Sequence, residues 1–447
     1  MTSRSALPPG PSLPAALQMM GFWTRPLAFL ERCRDRYGKR FTVKLPATPP
    51  FVMITDPDEV KQVFTAPPDV LRPGQGAQVL EPLVGRNSVL LLDEAAHMEQ
   101  RKLMLPAFHG ERMERLTGLM EEVTAEEVAA IPRGVPLALH PYTQDLTLKI
   151  ILRAVFGLDP GPRFDALRQR LQTMLEFGDK PISLLPPQPD SLLARVGERV
   201  GPFAKFVRMQ EEVDELVYAL VDERRGSEEE RDDILAMLLE ATHEDDGSPM
   251  GDEEIRDELM TLLIAGHETT ASTLAWAFER LVREPRVLAR LVEAVDGDDD
   301  AYLTATIQET LRDRPVLPNV APRFVAKEIT VGDWTYEPGC ALVANGYLIH
   351  HDPYVYPDPH TFRPERFLDE PPGTYTWIPF GGGRRRCLGA SFAMLEMKVV
   401  IKALLADCEL RATDEGVEVA QRRNITVRPI RGARVVLDER EPVPVAG

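Results

Sequence analysis

A single cysteine, Cys387, follows three glycines and three arginines within residues 378–389, which read Ile-Pro-Phe-Gly-Gly-Gly-Arg-Arg-Arg-Cys-Leu-Gly. Glycines permit backbone angles that other residues resist, and they let the chain approach another group closely. A helix is predicted to begin at about Leu388, so the cysteine precedes a helix N-terminus and follows several cations. Both features favour the thiolate, which is the form that binds a metal. The run predicts a cysteine-ligated metal centre; the alternative is a buried, inert cysteine beside a phosphate-type glycine loop.

A second run of interest interrupts a long apolar helix, predicted over residues 253–283. Its middle reads Ala265-Gly266-His267-Glu268-Thr269-Thr270. Glycine and threonine are poor choices for a helix interior, and a buried carboxylate is costly. Functional sites are expected where local rules are broken in this way. Taken alone, the run indicates either a solvated helix face or a polar site inside the core.

Charged residues elsewhere have ordinary interpretations when each group is considered by itself. Glu309 and Arg312 lie one helical turn apart on one predicted helix face, where such a pair is worth little. Arg366 belongs to a mixture of prolines, aromatics and charges at residues 359–367. His97 and Arg101 stand at positions i and i+4, which indicates a basic helix face.

Together these runs resemble the cytochrome P450 family. The spacing Phe-x-x-Gly-x-Arg-x-Cys-x-Gly is similar to the haem-binding loop of that family, and it is met by Phe380, Gly383, Arg385, Cys387 and Gly389. The resemblance spans about residues 8–437, with the motifs in family order. It implies haem b (iron protoporphyrin IX), with Cys387 as the axial ligand of the iron, and a thiolate there favours cleavage of the O–O bond.

The resemblance also implies roles for the residues around the haem. Arg385 would pair with a propionate and Phe380 would shield the sulfur side of the ring. Contacts to the propionates are also implied for His97, Arg101 and Arg323, since buried carboxylates need cationic partners.

The long helix would carry the oxygen-activating segment. Ala265 and Gly266 would let it lie against the porphyrin, Thr269 would hydrogen-bond the bound oxygen or a water, and Glu268 would relay protons. The resemblance leaves His267 unspecified, and we interpret it as structural or solvent-linked.

A structural triad of Glu309, Arg312 and Arg366 is implied as the support of the cysteine loop. The His-Arg-Asp-Pro tetrapeptide common in the family is replaced here by His350-His351-Asp352-Pro353. This departure leaves the local contact of that segment in doubt.

The elements that must position these residues are mostly helical. We predict helices at 26–37 and about 388–406, an almost wholly helical region from 96 to 283, and short strands near both chain ends, including 40–44, 50–55, 329–331 and 342–344. The fold class is mainly α with small β-sheets, the cytochrome P450 fold, in one domain over 1–447 that opens with a proline-rich segment at about 8–15. Residues 163–221, with proline-rich turns at 184–189, predict two surface helices and their connection; a mobile cover over a cavity is the alternative.

Composition bounds the function further. The 447 residues carry a net charge of −18, which argues against general nucleic-acid binding because that needs a basic footprint. Only four cysteines occur and none forms a CxxC pair, so a reducing compartment fits better than a disulfide framework. No secretory signal and no apolar run of membrane-spanning length is present. We predict a cytoplasmic monomer without a membrane anchor.

The implied activity is a monooxygenase that hydroxylates a hydrophobic small molecule with O₂. A haem–thiolate peroxygenase or isomerase is the alternative enzyme, and a haem sensor or carrier is the non-enzymatic one. The pair Glu268–Thr269 argues against these alternatives.

The sequence predicts a class of electron donor and a class of substrate. Because no flavin or nicotinamide domain is evident, electrons would come from a ferredoxin and its reductase, steered by a basic patch of Lys102, Arg112, Arg115, Arg384 and Arg386. Apolar residues of the implied pocket (Val79, Leu80, Leu83, Leu317 and Val320) suggest a fatty acid, a terpenoid or a steroid.

Overall fold

Helices make up most of the computed structural model, which describes residues 7–440 except 109, 178–201, 228, 230, 414 and 424. Short 3₁₀ turns occur at Gln78–Leu80, Leu105–Phe108 and Gly383–Arg385. The α-helices are α1 Ala15–Thr24, α2 Pro26–Tyr37, α3 Pro57–Thr65, α4 Pro73–Gly76, α5 Glu81–Val84, α6 Glu94–Met104, α7 Glu111–Ala130, α8 His140–Ala154, α9 Pro162–Phe177, α10 Pro202–Arg225, α11 Ile234–Glu240, α12 Asp252–Leu281, α13 Pro285–Asp296, α14 Asp300–Asp313, α15 Gly346–His350, α16 Arg366–Asp369 and α17 Ala390–Asp407.

The strands of the described residues form four small sheets, built largely from the two ends of the chain as predicted. They are β1 Arg40–Val43, β2 Phe51–Ile54, β3 Leu71–Arg72, β4 Pro136–Ala138, β5 Arg323–Val325, β6 Ile329–Val331, β7 Trp334–Tyr336, β8 Ala341–Ala344, β9 Cys408–Ala412, β10 Ala420–Arg423, β11 Thr426–Pro429 and β12 Arg434–Glu439. The largest sheet has the order β1-β2-β8-β5-β3, in which β2 and β8 run parallel with Val52 opposite Leu342. The others are β4-β12-β9, β10-β11 and β6-β7.

Local sequence signals explain several element boundaries. Helix α2 begins at Pro26, which has the backbone angle that a first helical position needs, and ends before Gly38, whose φ is +88°. The side chain of Asp56 caps α3 by accepting from the backbone N–H of Asp58. The last helix, predicted over about 388–406, forms as α17, which begins at Ala390 with Gly389 as its N-cap.

The chain divides into two compact units. The first comprises Met1–Arg72, Thr117–Thr147 and Glu268–Gly447, and the second comprises Pro73–Leu116 and Leu148–His267. The single domain expected from the sequence stays a prediction. Helices α9 and α10 pack together in the second unit, as predicted for residues 163–221, whereas the turns at 184–189 lie outside the described residues. No described helix is long and apolar enough to cross a lipid bilayer.

Candidate active site

The cysteine loop packs closely on the end of α3, and this contact explains two of its glycines. A Cβ atom on Gly382 would lie 2.3 Å from the ring of Phe64, and one on Gly383 would lie 2.4 Å from the Phe64 carbonyl oxygen. Gly383 also has a φ of +64°, which side chains rarely adopt. The glycines therefore hold the loop against α3, a requirement that the sequence did not reveal.

Cys387 differs from the other cysteines in its surroundings. Its backbone N–H donates to the carbonyl of Phe380 at 2.9 Å, so the loop turns back on itself, and the residue is exposed. Burial raises the pKa of Cys33, Cys340 and Cys408 to about 11 each, which keeps these three as thiols. Of the four cysteines, Cys387 is thus the one suited to ligate a metal, and this donor chemistry fits a haem iron.

Arg323 is buried on β5 and joins the loop to α3. Its guanidinium lies 4.9 Å from the ring centroid of Phe64 and donates to the carbonyl oxygens of Val63 at 3.3 Å and Gly382 at 3.4 Å. Arg385, in the same loop, is half-buried. The structure therefore gives Arg323 a loop-bracing contact, and its propionate contact stays a prediction.

His97 and Arg101 lie one turn apart on α6, in the second unit. His97 is buried and Arg101 is half-buried, so the exposed basic face that the spacing alone indicates is not what forms. Their expected contacts to the haem propionates stay predictions.

Gly266 of α12 lies close to a side chain of α8 within the second unit. A Cβ atom on Gly266 would lie 2.9 Å from the side-chain tip of Ile151 on α8. His267 is buried, in agreement with a structural interpretation. The expected contact of Ala265 and Gly266 with the porphyrin stays a prediction.

Glu268 lies in a polar cluster of the first unit that sequence reasoning missed. Its Oε2 atom accepts from Arg423 Nη1 at 2.7 Å and from Gln144 Nε2 at 2.8 Å, while its Oε1 atom accepts from Ser272 Oγ at 2.9 Å. His140 Nε2 lies 3.1 Å from Ser272 Oγ. The spacing of His140 and Gln144, four residues apart on a helix, is the one signal that could have suggested two of these partners.

The next two residues of α12 have different neighbours. The carbonyl of Thr269 accepts from Thr273 Oγ1 at 2.8 Å. Thr270 is buried, and its hydroxyl faces Glu396 of α17. Burial raises the pKa of Glu396 to about 8, so this carboxyl is largely neutral at neutral pH. The predicted proton-handling segment thus has one buried acid, Glu396, beside Thr270.

The structure brings together the three residues of the predicted triad. Arg312 donates to both carboxylate oxygens of Glu309, from Nε at 2.7 Å and from Nη2 at 2.9 Å, and Arg366 Nε lies 3.1 Å from Glu309 Oε2. The backbone N–H of Arg363 donates to Glu309 Oε1 at 2.7 Å. Because Glu309 and Arg312 are fully buried, this cluster is no surface pair, and its hydrogen bonds offset the cost of burying charge.

Both histidines of the segment 350–353 have partners here, including His351, which departs from the family tetrapeptide. His350 Nε2 accepts from the backbone N–H of Ile378 at 3.0 Å, next to the cysteine loop. His351 Nε2 lies 3.5 Å from Asp313. Although burial alone would raise the pKa of Asp313, the cations Arg314 and Arg280 and the bond from His351 hold it below its usual value.

The predicted basic patch is partly neutralised. Lys102 pairs with Glu244 at 2.6 Å and Arg115 pairs with Asp232 at 2.7 Å, all within the second unit. Arg384 and Arg386 are exposed beside Cys387, and the side chain of Arg112 lies outside the described residues. The two loop arginines are therefore the better candidates for contact with an electron donor.

Fold and site together define a class: a mainly helical protein with an exposed cysteine presented on a glycine loop before a long helix. The family model for cytochrome P450 matches residues 7–436, and the chain belongs to the cytochrome P450 family, whose members are haem-iron monooxygenases.

Individual relatives agree with this assignment. A protein of Mycobacterium tuberculosis provisionally named cytochrome P450 135B1 is 39% identical, with 97% of this chain and 92% of the relative covered. Another from the same organism, provisionally named cytochrome P450 138, is 37% identical over 97% of each chain.

Solved structures show the same fold at lower identity. A cyanobacterial CYP120A1 with bound retinoic acid superposes with a TM-score of 0.83 at 21% identity, covering 98% of this chain and all of the other. The haem domain of cytochrome P450DA gives a TM-score of 0.81 at 23% identity, with coverages of 98% and 99%. The predicted fold class is thereby confirmed.

Proposed function

We propose that this P450 holds haem b through Cys387 and hydroxylates a hydrophobic small molecule, using electrons from a ferredoxin and its reductase. The observation that carries the proposal is the exposure of Cys387 at a braced turn, in contrast to the three buried cysteines. When bound, the haem supplies O₂ activation, which the thiolate favours.

The other residues of the site bind the cofactor and exclude water from it. His97, Arg101, Arg323 and Arg385 pair with the propionates, and Phe380 and Gly389 shape the loop around the sulfur. Ala265 and Gly266 leave room for the ring and for O₂. Glu309, Arg312 and Arg366 act as positioning residues, since their buried cluster ties α14 to the segment that precedes the loop.

Glu268 and Thr269 handle the protons that the reaction consumes. The carboxylate of Glu268 accepts protons from outside the core, and the hydroxyl of Thr269 positions a water or the oxygen substrate beside it. This acid–alcohol pair favours a monooxygenase over a peroxygenase, an isomerase or a haem sensor, none of which needs delivered protons and electrons together.

An apolar substrate is supported by the residues of the implied pocket. Leu80, Val84 and Leu91 form a buried apolar cluster against which Leu83 and Ile264 pack, all in the second unit. Such a lining suits a fatty acid, a terpenoid or a steroid. Val79 is 45% exposed and so contributes less to the apolar lining than we expected.

A cytoplasmic monomer remains our proposal for the location and the oligomeric state of the protein.

The test of ligation is the replacement Cys387→His. We expect the reduced, CO-bound protein to lose the thiolate-type absorption band and its monooxygenase activity, because a neutral imidazole replaces the thiolate. The matched control Cys33→Ala removes a buried cysteine of α2 and should leave the band in place. Retention of the band in Cys387→His would refute the proposal. NAD(P)H-dependent turnover through a ferredoxin, rather than turnover with peroxide alone, distinguishes a monooxygenase from a peroxygenase.

A further inference from the structure

Arg423 lies far from Glu268 in sequence, yet it is the cation that the structure places on this carboxylate. The side chains are 8% and 16% exposed, so the pair is largely shielded from water. Arg423 ends β10, and the β10–β11 hairpin is held on α12 by the indole N–H of Trp276, which donates to the carbonyl of Val427 at 3.1 Å. The hairpin is held a second time by the backbone N–H of Val427, which donates to the carbonyl of Val316 at 2.8 Å.

The groups that bond to Glu268 are donors. Arg423 can only donate, the amide nitrogen of Gln144 donates, and the hydroxyl of Ser272 donates to Oε1. His140 Nε2 lies 3.1 Å from Ser272 Oγ and 3.5 Å from Glu268 Oε1. Both partners of Oε2, Arg423 Nη1 and Gln144 Nε2, are N–H donors, so a proton on that oxygen would face other donors. The arrangement at Oε2 therefore suits an ionised Glu268, whereas the hydroxyl of Ser272 at Oε1 can donate or accept.

The charged and titratable groups of the cluster come from three elements. Helix α8 contributes His140, the hairpin contributes Arg423, and α12 contributes Glu268 itself together with the hydroxyl of Ser272. Arg423 is the one permanent charge in this set, since arginine stays protonated in proteins. Removing it would take the arginine charge away from a carboxylate that is largely shielded from water.

We infer that Arg423 is a positioning residue of the proton-delivery step, which holds Glu268 as an oriented carboxylate at neutral pH through the β10–β11 hairpin. The inference rests on the proposed role of Glu268 as the acid that moves protons. The residue that keeps this acid ionised thus belongs to the β10–β11 hairpin, whereas the sequence motif itself lies on α12.

The experiment uses the haem-loaded enzyme and a double-mutant cycle of Arg423→Met, Glu268→Gln and the two combined. We expect Arg423→Met to lower the melting temperature at pH 7, and Glu268→Gln to reverse much of that loss, because the uncompensated carboxylate is then gone. Arg428→Met, on the neighbouring strand β11, is the matched control and should show no such coupling with Glu268→Gln.

Infrared spectroscopy then reads the protonation of Glu268 directly. Beyond the protonated-carboxyl absorption that Glu258 and Glu396 give in every variant, Arg423→Met should show an additional band at pH 7. The parent protein and the Arg423→Met, Glu268→Gln double variant should lack this additional band. Arg423→Lys should restore the parent spectrum because it keeps the charge. Additive melting temperatures, or the same spectrum in Arg423→Met and in the parent, would overturn the inference. The CO-bound spectrum of each variant separates this inference from the proposed function. If every variant keeps the thiolate-type band, a negative result contradicts the role of Arg423 and leaves the haem–thiolate proposal intact.

Discussion

Among single residues, Glu396 shows how burial alone can change the chemistry of a side chain. It lies on α17, nine residues after Cys387, and it is fully buried. Burial raises its pKa to about 8. Glu258 of α12 is also fully buried and has a pKa raised to about 8, although the backbone N–H of Val89 donates to it and lowers that pKa. Two acids of this protein therefore carry protons in the folded state under conditions in which the unfolded chain releases them.

This proton retention predicts a pH-dependent stability that depends on Glu396. Between the ordinary pKa of 4.5 and about 8, the folded state binds the proton and the unfolded state does not, so stability falls as pH rises. Glu396→Gln should lose less stability between pH 5 and pH 8 than the parent protein, as measured by urea unfolding. Glu409→Gln, an exposed change on β9, is the control. If the stability of Glu396→Gln fell with pH as steeply as that of the parent protein, the prediction would be contradicted. Glu258 is present in both the parent and Glu396→Gln, so its contribution to the pH dependence is the same in both.

At the level of elements, the cysteine loop depends on its contact with α3 as much as on the helix that follows it. The close approach of Phe64 to Gly382 and Gly383 places the loop, and Arg323 of β5 binds both partners. The buried triad braces the loop from α14, with Arg312 also donating to the carbonyl of His350 at 2.8 Å. The position of Cys387 is thus determined by α3, β5 and α14 together.

The contact with α3 predicts a large effect of Gly383→Ala. The new methyl group would meet the Phe64 carbonyl oxygen in addition to requiring a left-handed backbone, so we expect loss of stability together with loss of bound haem. Gly134→Ala is the matched control, because Gly134 has a φ of +73° with no atom within 4 Å. That change should cost about 1–2 kcal/mol from backbone conformation alone. Equal unfolding free energies for the two variants would show that the contact with Phe64 is unimportant.

For the whole molecule, the net charge of −18 makes any local positive surface significant for binding an acidic partner. The pairing of Lys102 and Arg115 with acids leaves Arg384 and Arg386 as the exposed cations beside Cys387. An acidic ferredoxin would be steered toward that loop, and screening by salt would weaken the steering.

The corresponding prediction concerns electron transfer. Arg384→Glu with Arg386→Glu should slow reduction of the haem by a ferredoxin several-fold at low ionic strength, with a smaller effect at high salt. Arg32→Glu with Arg36→Glu makes the same charge change at exposed positions of α2 and should leave the rate nearly unchanged. Stopped-flow reduction under CO measures both. Equal slowing by the two double variants would indicate a general charge effect instead of a docking site.

The sequence by itself determined the family, the cysteine that can ligate iron, the long interrupted helix and the residues of the triad. The cysteine loop and the interrupted helix depend on local spacing, which a single chain displays directly. The triad joins Arg366 to a helix that is distant in sequence, and it was implied by the family resemblance. Only the tertiary structure decided that Arg423 and Gln144 hold Glu268, that Phe64 requires the loop glycines, and that Lys102 and Arg115 are neutralised. Each of these contacts joins residues that are distant in sequence, and no local pattern encodes which distant side chain will fill a given space or neutralise a given charge.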